Sequence, residues 1–266
     1  PSFMIRRGRG PRAMMGATED PLKAANEKIE TIRKFFEDAK AYYRENTHVA
    51  NNLRFEAIRG IFDGSKKLFV RANEVRQMLV AIEIAKKHGF KLVLVGAAES
   101  FQIAPLLAQN KVEVILADEH ALPTTEDDDV DQPYKTAVSL QKAGVLFCLN
   151  DTHDQARYRN LAFNAGTTVA YGLTKEEALS AITKNAATIL GVEEKTGTLE
   201  VGKDANIIIS SGDVLDMRGN QITNAFIQGR NVSLDNKDNP CSRYTLSNKI
   251  YFTHIRFYIL TSSLSW

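Results

Sequence analysis

Carboxylates, imidazoles and amides that directly follow short apolar runs are the residues of this chain able to do chemistry. After the run Val145 to Leu149 comes Asp151-Thr152-His153-Asp154. This cluster can hold one metal ion weakly, through Asp151 and His153, or position a water. His120 lies in ADEHALPTTEDDDVD, directly after the run Val112 to Leu116. A histidine on such a loop binds substrate or a catalytic water, or only caps the fold. Glu99 follows Leu92 to Val95; it either binds polar groups of a substrate or, in a first helical turn, answers the helix dipole. Asn73 ends the phrase Arg71-Ala72-Asn73 and offers a carbonyl oxygen, whereas Arg71 stays protonated and ligates no metal. Arg159 is either structural or orients an anion. Asp127, Asp128, Asp129 and Asp131 read as a solvated loop, because hard-ion loops need spaced oxygen ligands and glycine. His48, His88 and His254 read as surface residues, and Cys148 as a small core residue.

The elements that must position these residues follow from hydrophobic period. Residues 1 to 20 are rich in Gly and Arg without a period and read as loop. Helical stripes run from Pro21 to Asn46 and from Asn51 to Phe62. Then strands and helices alternate: Leu68 to Val70, a helix over 74–88, Leu92 to Val95, a helix over 100–109, Val112 to Leu116, a helix over 134–143, and Val145 to Leu149. That rhythm means βα units and a parallel sheet. Thr174 with Glu177 makes a capping box for a helix that Gly191 stops. Thr198 to Val201 and Ala205 to Ile209 read as strands, followed by the hairpin segments Ala225 to Ile227 and Val232 to Leu234. Residues 249–266 are far more aromatic than the rest and have no sequence-level account.

The 266 residues are 44% hydrophobic with a net charge of +2, enough for one substantial core and a smaller appendage. The near balance of charge argues against a nucleic-acid surface or a polybasic membrane anchor. No apolar run reaches the length of about 18 residues that reads as a membrane span, and two cysteines make no disulfide framework. The chain opens on Pro1 rather than Met, so an upstream part is expected, and location is left open between cytoplasm and export.

The stretch GLTKEEALSAITKNAATILGVEEKTGTLEVGKDANIIISSG, from Gly172 to Gly212, feeds one helix into a small sheet through GTLEVGKDANIII. It resembles the end of the metal-dependent amidohydrolase superfamily, in its imidazolonepropionase-like branch. The phrase Arg159-Asn160-Leu161-Ala162-Phe163 and the loop around His120 are similar to that branch as well. The resemblance implies an α/β fold: a partial (β/α)8 barrel, its second half, over 21–195, then a small β domain over 196–236 that belongs to a composite β-sandwich. Residues 237–266 fall outside it. Four units are too few to close a barrel, which needs about 200 residues or more, so strand Leu68 to Val70 is expected to present an open edge.

The resemblance further implies hydrolysis of a carbon–nitrogen bond of cyclic amide type, with a divalent metal, zinc, activating water. Asp151, or Thr152 or Asp154 beside it, takes the place of the catalytic base, and His120 or Arg159 polarises the carbonyl. Asn73, Glu99 and Arg159 fall where substrate is held. It also implies a small-molecule substrate and a homodimer or other homo-oligomer. The family's His-x-His pair belongs to a strand upstream of this chain. Two ligand positions are replaced within it: Arg71-Ala72-Asn73 stands where a His-Ala-His-like phrase is expected, and Gly96-Ala97-Ala98-Glu99 where a Glu-His-Gly phrase is expected. Those replacements support a second reading, a barrel kept for binding or structure, or an inactive fragment.

Overall fold

Alternation of apolar runs with amphipathic helices gives the chain its main layer. A computed structural model describes residues 21–45, 50–117, 120–123, 125–151, 158–234 and 256–259. Contacts divide the chain into two units, Pro1–Arg59 and Gly60–Trp266.

In the first unit, helix α1 (Pro21–Arg44) meets the start of α2 (Leu53–Phe62) through aromatic residues. Phe35 and Tyr42 pack on the Phe55 ring at 5.6 and 5.4 Å between centroids. The Tyr42 hydroxyl donates to Glu56 at 2.9 Å, and the Tyr43 hydroxyl donates to the Phe55 carbonyl. The Arg59 guanidinium lies over the Tyr43 ring.

In the second unit, strands β1 (Leu68–Ala72), β2 (Leu92–Gly96), β3 (Glu113–Ala117) and β4 (Phe147–Asn150) form one parallel sheet in that order. Helices α3 (Val75–His88), α4 (Ala104–Gln109) and α5 (Gln132–Ala143) make the crossovers and bury Met78, Leu107 and Leu140. This is the partial (β/α) barrel, with β1 at one open edge as expected. The helix expected over 100–109 begins instead as a 3-10 turn, Ser100–Ile103. Pro105 has no N–H for an α-helical bond and sits in the first turn of α4.

The face of the sheet that carries Val93 is closed at its N-terminal end by the last helix that follows β4. Helix α6 (Leu161–Ala170) was not legible as an element, and the helix expected up to Gly191 is two: α7 (Lys175–Ile182) and α8 (Lys184–Leu190). The break is at Thr183, whose hydroxyl donates to the Leu179 carbonyl at 2.6 Å and competes with the helical ladder. Ala186 and Ile189 of α8 bury against Val93 and Cys148, which confirms Cys148 as core. Lys67 fastens this end: its Nζ contacts Glu113 at 2.6 Å and donates to the carbonyls of Thr188 and Ile189 at 3.0 and 3.1 Å. An ammonium at the last carbonyls of a helix is favourable for the dipole too.

Strands β5 (Ile207–Ser210), β6 (Ile222–Ile227), β7 (Arg230–Val232) and β8 (Arg256–Ile259) form an antiparallel sheet in the order β7-β6-β5-β8. Part of the aromatic stretch near the end of the chain is thus the partner of β5. Thr198 to Val201 is not a strand. The Lys203 Nζ donates to Thr198 Oγ1 at 2.6 Å and pairs with Glu200, folding the segment onto itself with Val201 fully exposed. His88 is not a plain surface residue either: its ring stacks on Phe90 at 5.2 Å and meets Phe62 edge-on.

Candidate functional site

The C-terminal ends of β1 to β4 carry the candidate residues, the end of such sheets where chemistry is found. Side chains alternate along a strand. Phe69, Arg71 and Asn73 therefore share a face, and the register Phe69↔Val93 and Arg71↔Val95 puts it on the side of Val93 that α8 plugs below. Phe69 is 46% exposed there, and Arg71 and Asn73 are exposed as well.

The ends of β1 and β2 are bound to each other. The Ala97 N–H donates to the Ala72 carbonyl at 2.8 Å, and the Glu99 N–H to the Asn73 carbonyl at 3.0 Å. The Glu99 carboxylate accepts from the Val75 N–H at 2.8 Å, so it serves the N-terminus of α3, a helix other than its own. Gln77 Oε1 accepts from the Asn73 N–H at 3.0 Å. Gly96 has φ of 96°, and a Cβ there would fall on the Asn73 amide oxygen. The side-chain position after β2 is therefore taken by Asn73 and by a backbone conformation that suits glycine.

The end of β4 differs. Asp151 is only 7% exposed, and its Oδ2 accepts from Asn164 Nδ2 at 3.3 Å. Asn164 belongs to α6. One turn on, Thr167 Oγ1 lies 2.9 Å from Nε2 of His120. Residues three apart share a helix face, so one face of α6 fixes both Asp151 and His120. The His120 ring also meets Tyr134 edge-on, and Tyr134 stacks on Tyr171. Gly166 lets α6 approach the next segment: a Cβ there would fall on the Leu215 carbonyl oxygen. Arg159 is exposed in the 3-10 turn Tyr158–Asn160 that leads into α6.

The structure thus brings Asp151 and His120 to one helix, and Asn73 and Glu99 to one loop pair. Thr152, His153, Asp154 and Arg157 lie outside the described residues. Of the acidic loop, Asp129 and Asp131 pair with Lys135 at 3.0 and 2.6 Å. Asp131 and then Asp129 hold the Lys135 ammonium above its ordinary range. A cleft of about 190 Å3 opens between the ends of β1 to β3, the loop after β3 and the start of α5. Asn73 lines it; Asp151, His120, Glu99 and Arg159 do not.

The zinc that the resemblance implies would need several donors gathered at these strand ends. Among the described residues no group of three His, Cys, Asp or Glu could hold a metal ion. Arg71 cannot ligate, Gly96 has no side chain, and Glu99 is committed to α3. Among the described residues Asp151 is the one strand-end donor that remains, and one carboxylate does not fit a zinc site, which takes three or four ligands.

Sequence reasoning missed Asn164 and Thr167. The signal was there in form, two polar residues three apart beside small ones, but without a helix assigned it pointed nowhere. It also missed the lining of the cleft by Asp128, Gln132 and Thr136, which becomes visible only when α5 is set against β3.

Residues 152–232 match the amidohydrolase family. Over 86 residues the chain is 41% identical to an imidazolonepropionase of Thermoplasma volcanium, a segment that is 32% of this chain and 21% of that one. It is 45% identical over 49 residues to an imidazolonepropionase of Brucella suis, 18% of this chain and 12% of that one. Among solved structures it superposes on an amidohydrolase from Thermotoga maritima with a TM-score of 0.69 and 26% identity, covering 81% of this chain and 60% of the other. The chain therefore matches only part of the length of these relatives. The match in sequence and the superposition agree with the phrase from Gly172 to Gly212: over this part the chain is similar to the amidohydrolase superfamily, and the matching relatives named here are imidazolonepropionases.

Proposed function

We propose that the protein is a hydrolase of carbon–nitrogen bonds other than peptide bonds, acting on a small cyclic amide with water as nucleophile and Asp151 as base. The reading rests on Asp151: a buried carboxylate at the C-terminal end of a barrel strand, held by Asn164. Such a carboxylate takes a proton from the water attacking the carbonyl carbon and returns it to the departing nitrogen. The C–N bond breaks, the water oxygen stays on carbon, and its protons end on nitrogen and the new acid. His120 or Arg159 polarises the carbonyl, and Asn73 contacts the substrate. Glu99 acts through the loop it fixes. No step is assigned to a metal, because the described donors do not fit one.

A second reading has its own observation. The hydrogen-bonded ends of β1 and β2 carry Arg71, Ala72, Asn73 and Gly96 at the ligand positions, none of which supplies an imidazole for zinc, and this favours a barrel kept for binding. One experiment separates the two: the full chain is screened against lactams and cyclic ureas, with and without added zinc, beside Asp151→Asn. Turnover that Asp151→Asn lowers by about a hundredfold or more supports the hydrolase. Saturable binding without turnover in either protein supports the second reading and sinks the first.

A further inference from the structure

The cleft at the start of α5 is lined by Asn73 but not by Asp151, and it has a chemistry of its own. Its walls are apolar, chiefly Phe101, Leu116, Pro123 and Pro133, and four polar side chains reach it: Asn73, Asp128, Gln132 and Thr136. Asp129 and Asp131 of the same loop share Lys135 as ion-pair partner, and Asp128 is not part of that pairing. Among the described residues the Asp128 carboxylate and the Asn73 and Gln132 amides have no side-chain hydrogen bond or ion pair. An apolar hollow with a few converging polar groups of unused capacity is the usual form of a small-molecule site.

The sign of the ligand follows from the donors and acceptors. An anion would be drawn to the start of α5 only if free N–H groups pointed out of it. They do not: the Gln132 N–H donates to the Asp129 carbonyl at 2.9 Å, the Tyr134 N–H donates to the Asp131 carbonyl at 3.1 Å, and Pro133 has no N–H. Thr136, at the cleft floor, donates its hydroxyl to the Gln132 carbonyl at 3.1 Å. What remains is one carboxylate, Asp128, the one charged side chain of the lining, and two amides that can accept as well as donate. We propose that this cleft binds a small organic cation, a primary amine on an apolar body, with Asp128 as its counter-ion and Asn73 and Gln132 as hydrogen-bond partners. Phe101, Leu116 and the two prolines take the apolar body, and a volume of about 190 Å3 admits a ligand of one ring.

The test uses the full chain and three probes of one shape: benzylamine, benzyl alcohol and benzoate, followed by titration calorimetry or by chemical shifts. The expected result is saturable binding of benzylamine, with the alcohol and the acid each weaker by about tenfold or more, the worth of a charge-assisted hydrogen bond. Asp128→Asn lowers benzylamine affinity by about the same factor, while Asp151→Asn leaves it unchanged. Equal binding of amine and alcohol to the unmodified chain overturns the proposal, as does no saturable binding of benzylamine. Loss of binding in Asp151→Asn overturns the separateness of the two sites. None of these outcomes depends on hydrolytic activity, so a failure of the cleft proposal is distinguishable from a failure of the hydrolase reading.

Discussion

The ends of β1 and β2 and the end of β4 occupy equivalent places in one sheet, yet they are built in opposite ways. At β1 and β2 the polar groups are spent on each other: two backbone bonds join the loops, and Glu99 caps α3. At β4 a carboxylate is buried and held from one side by an amide of α6. A strand end closed by its own hydrogen bonds contributes rigidity; one that keeps a buried acid contributes a group able to move a proton. The sheet keeps the second kind only where α6 supports it.

That contrast can be broken or sharpened by substitution. The largest effect is expected at β4: Asp151→Asn preserves shape and the Asn164 contact but cuts turnover by about a hundredfold or more, measured on a cyclic amide. Next, Gly166→Ala forces a methyl onto the Leu215 carbonyl, which backbone cannot yield cheaply. It is expected to cost about 2–3 kcal/mol in chemical denaturation. At the closed end, Gly96→His places a side chain on Asn73 at a φ of 96°. It is expected to lose about 1–3 kcal/mol and to gain no zinc, read by elemental analysis. Tight zinc uptake by that variant would show the ends of β1 and β2 to be an openable ligand site after all. Glu99→Gln keeps an acceptor for the Val75 N–H and loses only charge at the helix start, about 0.5–1 kcal/mol.

The smallest effect concerns pH at the α7 capping box. The Thr174 N–H, then the Thr174 hydroxyl, hold the Glu177 carboxyl below the usual glutamate range. A carboxyl lowered in the folded state stabilises above its unfolded value and ceases to do so as pH falls through the folded one. Titrating from about pH 6 to about pH 3, the wild type is expected to lose a small increment over Glu177→Gln, confined to the acid end of that window.

The parallel layer was legible because each strand is a short apolar run and each crossover helix carries its own stripe. Helix α6 was not: Asn164, Thr167 and Thr168 interrupt its apolar side, and their reasons, Asp151 and His120, lie far away in sequence. The division of the last barrel helix at Thr183 was equally hidden, since a threonine that bonds back to Leu179 looks no different in sequence from one that does not. Thr198 to Val201 reads as a strand by composition, but a strand requires a neighbour, and Lys203 gathers this one into a turn. At the site, the replaced ligand positions could be read directly. That Glu99 caps α3 and that Asn73 fills the space above Gly96 could not, because both depend on the separation of two loops.

Asn164 and Thr167 grip two distant parts of the chain from a single rod. A helix of ten residues moves as one body, so a slide of one residue along its axis, about 1.5 Å, would shift the grip on β4 and the grip on the His120 loop by the same stroke. Acid and loop are in this sense geared together, and whatever seats or unseats the loop sets the placement of the acid.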